Sequence, residues 1–490
     1  MPVGQSLPIV TAAPSLLPPD GAPSFAGDAL ARVMRGRVLA SGTSRIRGGA
    51  VDSRKVSAGA CFFALPGERT DGQRYLWQAV AAGAAAVVVR DAPGEAELAR
   101  LTATGRVTVI QVADGLGALH AAATDWRARF EPLVVGVTGS LAKTSTKEQA
   151  AEVLAERWEV LRNEGNENNE IGLPLTLLRL GTEHRAAVLE MGMYVPGDIA
   201  QLAALARPSV GVVTAVRGTH LSRAGSLEAI ERGKAELVEA LPANGTAILS
   251  ADDERVARMR AYTHARVLTY GFAAGADIGA EEVISLAEAG MRFRLRTPHG
   301  SIEVTTPALG RHSVHNALAA AGVGICADLD LEAIARGLAR GFRAPHRTAF
   351  LRAGEWRILD DSYNAAPDSM VAALELLATL GGRHVAVLGE MLELGDGADD
   401  AHRAVGRVAA SVVDRLVVVG EGASALLDGA LATGMDPSAA TMVADRDSAL
   451  ALLVRELRPG DAVLVKASRG VALDLLVERL VAVATSPASA

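Results

Sequence analysis

The sequence predicts an α/β protein of three domains, and three observations carry that reading. The chain is 490 residues long, which at roughly 100–200 residues per domain suggests about three of them. An apolar strand, Leu133 to Val137, runs into Thr138-Gly139-Ser140 and then a helical pattern from Thr144 to Glu159, the order of a strand, a phosphate loop and a helix. Strand-like runs at Arg357 to Leu359, His384 to Leu388, Leu416 to Val419 and Ala462 to Val465 are each followed by a polar or Gly-containing turn and a helical segment, the alternation of a doubly wound parallel sheet. The expected architecture is a small mixed α/β N-terminal domain, a central P-loop ATPase-type α/β domain and a C-terminal Rossmann-like α/β domain.

Composition removes other classes. Hydrophobic residues at 49% and charged residues at 21% fit a globular chain and exclude a disordered or fibrous one. A net charge of −7 gives no global attraction for nucleic acid or an anionic membrane, so any phosphate site must be local. Cys61 and Cys326 form no CxxC pattern, which argues against disulfides and cysteine-bound metal and for a reducing, cytoplasmic setting. The first basic residue is Arg32, so the start lacks the charged end of a signal peptide. No span is expected either, because the longest apolar stretch, Leu76 to Val89, is too short to cross a bilayer.

In chain order, residues 1–25 are a Pro-rich flexible leader. The N-terminal domain, 26–130, is a series of short apolar runs divided by Gly-rich turns. The central domain, 131–345, opens on the phosphate loop. The C-terminal domain, 346–484, places Asp360-Asp361-Ser362-Tyr363-Asn364, Gly389-Glu390-Met391 and Lys466-Ala467-Ser468-Arg469-Gly470 at the C-terminal ends of strands, where ligands bind in such sheets. An Ala/Ser/Pro-rich tail, 485–490, frays.

The phosphate loop is Gly139-Ser140-Leu141-Ala142-Lys143-Thr144-Ser145. Backbone N–H groups at a helix start can cradle phosphates, with Lys143 neutralising the terminal ones and the Thr144 hydroxyl facing Mg²⁺. The GxxxxGK[ST] pattern fails, because Val137 and Ala142 occupy its two Gly positions. A shorter TGxxGK[TS] remains, with Ala for its second Gly. By spacing alone, this is either a nucleotide loop or an ordinary strand-turn-helix.

Gly165-Asn166-Glu167-Asn168-Asn169-Glu170-Ile171-Gly172-Leu173-Pro174-Leu175-Thr176 follows. By itself it reads as a turn, since Asn tolerates left-handed geometry. With the phosphate loop it closely resembles the Mur ligase family, in the branch that shows GNxNNEIGxPLTLL. The resemblance continues through Val188-Leu189-Glu190-Met191-Gly192, Thr219-His220-Leu221, Gly233-Lys234-Ala235-Glu236, the Gly310 to Ala317 helix start with Asn316, Arg347, the Asp360 to Pro367 run (DDSYNAAP) and LVKASRG at 464–470. Near the N-terminus, Asp52-Ser53-Arg54 and Asp71-Gly72 resemble elements of the family's uridine-nucleotide domain.

The resemblance implies ATP-driven amide bond formation, adding D-alanyl-D-alanine to UDP-N-acetylmuramoyl-tripeptide through an acyl phosphate. It further implies ATP contacts at Gly139 to Ser145, Asn316, Arg347, Asp361, Tyr363 and Asn364. Two Mg²⁺ would be held by Thr144, Glu190, His220 and Lys234, the last carbamylated, and the UDP-linked substrate by Ser53, Arg54, Asp71, Gly72, Asn168 and Asn169. Lys143, His220, Lys234 and Arg347 would be the catalytic set, and nothing obliges more than a monomer. Alone, Glu190, His220 and Lys234 would be read as a turn carboxylate, a structural histidine and a helix-surface lysine.

Several departures are visible, among them His346 where the family has the Gly of a Gly-Arg pair. Ala142 replaces a Gly, at a cost of about 1 kcal/mol if its φ is positive. Ala215 and Ser222 replace the Asn and Glu of a TNxGxAHLE segment, and Ser250 replaces an Asn before Ala-Asp-Asp. Two alternatives stand beside the ligase: a related amide ligase with another carboxylate or amine, and a silent binding protein of the same fold.

Overall fold

The computed structural model describes residues 23–218, 223, 225–342 and 344–485. Most of the expected leader, the tail and His220 lie outside the described residues. Short β-branched runs become strands and the small-residue segments between them become helices, so the α/β class expected from the sequence is observed. The chain forms two compact units, Met1–Glu131 with Ile171–His184, and Pro132–Glu170 with Arg185–Ala490.

In the first unit a five-stranded sheet runs in the order Arg37–Ala40, Thr108–Gln111, Ala86–Val89, Cys61–Phe63, Gly49–Ala50. Only the Arg37–Ala40 edge is antiparallel. Phe62, Val87, Val109 and Leu101 fill its core. Helix Gly115–Arg127, capped by Asp114, closes the unit by donating the Trp126 indole N–H to the Leu180 carbonyl at 2.9 Å. The segment 171–184, with the second half of the Asn-rich motif, folds here.

The second unit holds two six-stranded sheets. In the central sheet the order is Arg266–Tyr270, Thr246–Ser250, Val210–Val213, Leu133–Thr138, His184–Glu190, Glu159–Arg162. Helices Lys143–Leu154 and Arg311–Cys326 bury Val153, Leu154, Val314 and Leu318 against Val135 and Val137. Helix Leu227–Glu239 covers other strands of the sheet through Ile230 and Val238 on Val213 and Leu249. A three-stranded antiparallel sheet, Gly279–Ser285, Met291–Thr297 and Gly300–Thr306, extends the Arg311–Cys326 side.

The other sheet is ordered Ala349–Ala353, Trp356–Asp360, Ala462–Lys466, His384–Gly389, Arg415–Val419, Ala440–Val443, and is parallel apart from its first strand. Separate apolar clusters cover its two faces. In both sheets the strand ends that carry chemistry, at Thr138, Glu190, Asp360 and Lys466, are C-terminal ends. No helix among the described residues is long and apolar enough to cross a membrane.

Candidate active site

The phosphate loop is built by close backbone packing. Gly139 has φ +147°, and a Cβ there would lie 1.8 Å from Thr214 Oγ1, so no side chain fits. Thr214 Oγ1 donates to the Leu141 carbonyl at 2.6 Å. Ser140 N donates to the Ala215 carbonyl at 2.7 Å. Its Oγ accepts from Arg217 N and donates to Arg217 O, both at 2.9 Å. Ala142 has φ +63°, so the strain anticipated for an Ala at this position is present, at about 1 kcal/mol. Helix Lys143–Leu154 then begins with its first N–H groups lacking intrahelical partners, an anion-binding end.

Lys143 folds back on this loop, donating from Nζ to the Gly139 carbonyl at 2.7 Å and the Ser140 carbonyl at 3.4 Å. Burial lowers its pKa; Glu190 opposes the shift and Arg347 adds to it. Lys234, on helix Leu227–Glu239, is 3% exposed. It has no hydrogen bond or ion pair to another described residue. Burial, reinforced by Lys143, holds its ammonium well below the ordinary 10.5.

Glu190 ends its strand 3% exposed. Its Oε2 accepts from Thr144 Oγ1 at 2.7 Å and its Oε1 from Asn168 Nδ2 at 2.7 Å. Asn163 fixes the Glu190 backbone from both sides, accepting from its N and donating to its O at 3.0 Å each. The Asn-rich loop therefore aims a carboxylate at the phosphate-loop hydroxyl. A hydroxyl and a carboxylate on one cavity wall are hard oxygen donors that suit Mg²⁺. No cluster of three acidic or histidine ligands occurs among the described residues, and the further candidate His220 lies outside them.

The C-terminal sheet supplies the facing wall. Arg347 and Arg469 both stack on Tyr363, at 3.9 and 4.8 Å from the ring centre. Neither guanidinium has a carboxylate partner among the described residues. Lys466 does: its Nζ lies 2.5 Å from Asp361 Oδ2 and 2.8 Å from the Asn364 carbonyl. Asp361 also accepts from Thr348 N at 2.9 Å. Beside Arg347, His346 has φ +59° and its ring lies 2.8 Å from Asp360.

Both walls border one cavity of about 930 Å³, which His346 and Asp360 do not line. It brings together Ser140 to Ser145, Asn168, Asn169, Glu190, Lys234, Asn316, Arg347, Asp361, Tyr363 and Asn364. Gly139 lies just behind it as packing. Towards another end Ser250 Oγ is 3.2 Å from His315 Nε2, and Arg311 sits 4.1 Å over Phe272, giving an aromatic pair, His315 and Phe272, at 6.1 Å.

Ser53, Arg54, Asp71 and Gly72 belong to the first unit. Arg54 pairs with Asp52 at 2.7 Å, and that hydrogen bond holds the Asp52 carboxyl down at about 2. Asp71 caps the turn Gly72–Tyr75 by accepting from Gln73 N at 2.9 Å. Gly72 packs so closely that a Cβ would meet the Leu65 carbonyl at 2.8 Å.

Lys466 and Arg469 stand in motifs that mark a site without assigning either cation a role, and Arg217 lies outside the residues the sequence singles out. The signal for Arg217 was present: it stands at the Gly of TNxGxAHLE.

Comparison with known proteins agrees with this geometry. Three family models match: the Mur ligase family, catalytic domain, over 45–127, the Mur ligase middle domain over 137–324, and the Mur ligase, glutamate ligase domain over 346–469. The UDP-N-acetylmuramoyl-tripeptide--D-alanyl-D-alanine ligase of Mycobacterium tuberculosis is 40% identical, covering 88% of this chain and 91% of its own length. The Escherichia coli protein of the same name is 37% identical over 88% of this chain and 92% of its own. A crystal structure of MurF from Acinetobacter baumannii superposes with TM-score 0.84 at 30% identity, over 94% of this chain and 99% of that one. MurF ligase from Thermotoga maritima in complex with ADP superposes with TM-score 0.77 at 26% identity, over 89% and 98%. The chain belongs to the Mur ligase family.

Proposed function

We propose that this protein is the cytoplasmic ATP-dependent ligase that joins D-alanyl-D-alanine to UDP-N-acetylmuramoyl-tripeptide, completing the pentapeptide precursor of peptidoglycan. The observation that carries the reading is the shared cavity: a phosphate loop with two desolvated lysines on one wall, and on the other two arginines without carboxylate partners among the described residues. Such a cavity suits a reaction that concentrates negative charge.

A carboxylate is a poor electrophile. Its oxygen attacks the γ-phosphate of ATP, ADP leaves, and an acyl phosphate forms. The dipeptide amine then adds to the acyl carbon, and the tetrahedral intermediate collapses by expelling phosphate and shedding a proton. Lys143 exchanges its loop carbonyls for phosphate oxygens, and Arg347 supplies positive charge from the opposite wall, so the transition state meets charge already in place. Thr144 and Glu190 are the residues that would hold one Mg²⁺, and the family resemblance assigns a second to His220 and Lys234; such ions would supply Lewis-acid neutralisation of the phosphates. Lys234 suits carbamylation because burial favours its neutral amine: the amine would add to CO₂, release a proton and become a carbamate, whose carboxylate oxygens can serve a metal. Asn316, Asp361, Tyr363 and Asn364 shape the ATP end, and Asn168 and Asn169 border the acceptor.

The three domains divide the labour. Residues 26–130, with Ser53, Arg54, Asp71 and Gly72, hold the UDP end; 131–345 holds ATP; and 346–484 binds the amine and excludes the water that would hydrolyse the acyl phosphate. The test is phosphate release with substrates omitted one at a time. Turnover requires ATP, the UDP-tripeptide and D-alanyl-D-alanine together. Equal turnover with unrelated amines, or none with any acceptor, overturns the reading.

A further inference from the structure

We infer that Arg217 is a positioning residue that couples docking of the C-terminal sheet to the geometry of the phosphate loop. Its backbone and its side chain face two different partners. The main chain brackets Ser140 Oγ, whose own N–H is tied to the neighbouring Ala215. The guanidinium is shared between two carboxylates. One is Asp253, which is 6% exposed, accepts from Val216 N at 2.9 Å and caps helix Glu254–Arg258. The other is Asp368, whose Oδ2 lies 2.6 Å from Arg217 Nε.

The two carboxylates stand on different halves of the unit. Asp253 follows the central strand Thr246–Ser250, whereas Asp368 is in the first turn of helix Pro367–Ala378, packed on the C-terminal sheet. Asp253 thus fixes the guanidinium from the central side, with its carboxylate already held by backbone N–H groups. Asp368 is the partner that departs when the C-terminal sheet moves away. Losing it leaves one cation on a nearly buried carboxylate, and any adjustment of that pair pulls on residues 216 and 217, which hold Ser140. Domain docking therefore reaches the loop through one residue.

The magnitude is modest. Arg217 and Asp368 are 43% and 54% exposed at the side chain, and pairs this exposed shift equilibria by about two- to fivefold. The coupling tunes nucleotide binding and does not switch it. It rests on the reading of the loop as the ATP site, but its first test does not.

Amide hydrogen exchange is measured on the full chain as wild type, Asp368→Ala, Arg217→Ala and Arg217→Lys. Asp368→Ala, a change on the far side of the interface, speeds exchange across residues 137–146 and 214–217. Arg217→Ala does the same, and Arg217→Lys recovers part of the protection. In turnover assays each Ala variant raises the KM for ATP two- to fivefold with little change in kcat or in the KM for D-alanyl-D-alanine. The double variant is no worse than Arg217→Ala alone. Unchanged exchange at 137–146 in Asp368→Ala, or effects on the ATP KM that multiply in the double variant, overturn the inference. Failure of the ligase reading is separate: it shows as wild-type protein without substrate-dependent phosphate release.

Discussion

The two six-stranded sheets meet the same cavity with the same ends of their strands, yet they treat positive charge in opposite ways. On the central side Lys143 rests on its own loop carbonyls and Lys234 has no described partner, and both are pushed towards neutrality by burial. On the C-terminal side Lys466, 3% exposed at its side chain, is locked to Asp361 at 2.5 Å, and Arg347 and Arg469 lean on Tyr363. Carbonyl oxygens give up a lysine readily to phosphate; a carboxylate does not. The central wall therefore keeps its charge available at a cost in stability, while the C-terminal wall spends its lysine on holding the Asp361 loop in shape.

The largest effect that separates the walls is on turnover. Lys143→Ala should lower kcat/KM by about a thousandfold or more, the scale expected when a preorganised charge is removed from phosphoryl transfer, while the melting temperature stays level or rises. A steep loss of both activity and melting temperature would mean that Lys143 is structural and would erase the contrast. Lys466→Met should do the reverse. It leaves the partly buried Asp361 carboxylate without its cation, costs about 1–3 kcal/mol, and shows first as a lower denaturation midpoint.

Lys234→Met sharpens the central side further. In the unfolded chain this lysine holds its proton up to about 10.5; in the fold burial makes it release the proton at lower pH. Between the folded value and 10.5 the unfolded state therefore binds more protons, and the lysine's destabilising contribution grows as pH falls through that window. The Met variant is expected to be inactive, more stable than wild type at neutral pH, and less dependent on pH. Denaturant titrations at several pH values check this. A ¹³C carbamate signal with labelled bicarbonate should appear in wild type and vanish in the variant. A variant less stable than wild type at pH 7 would show that Lys234 is a paid-up structural cation.

How much of this was readable beforehand follows from what each feature depends on. The phosphate loop is a local signal, a strand end, a Gly and a helix start, and its motif marks it; the hydrogen bond from Asn168 to Glu190 is not local and shows only in the fold, since the sequence reading gives Asn168 to the substrate and Glu190 to Mg²⁺. The repeated strand-turn-helix format announced the C-terminal sheet for the same reason. Partner choice across the cavity is not local. Lys466 and Asp361 are more than a hundred positions apart, so LVKASRG marks a site without telling whether its cation is free or neutralised. Arg217 reaches Asp368 across a similar gap, and only its intrusion on a Gly position hinted at a role. The excursion of 171–184 into the first unit was equally silent, because its apolar helix would suit either core.

The smallest effect concerns the one point where the central wall pays in backbone strain. Ala142 sits at φ +63° as the residue before helix Lys143–Leu154. Ala142→Gly removes a left-handed penalty of about 1 kcal/mol but returns about 0.4–1 kcal/mol of backbone freedom to the unfolded chain. The two nearly cancel, so the unfolding free energy should change by about 0.6 kcal/mol at most, and the KM for ATP should fall by threefold at most. A large gain in ATP affinity would show that Ala142 distorts the loop in wild type. No change in affinity would show that Thr214 and Ser140 already hold the loop in place, with the strain borne by a framework rigid enough to keep its shape whichever residue stands there.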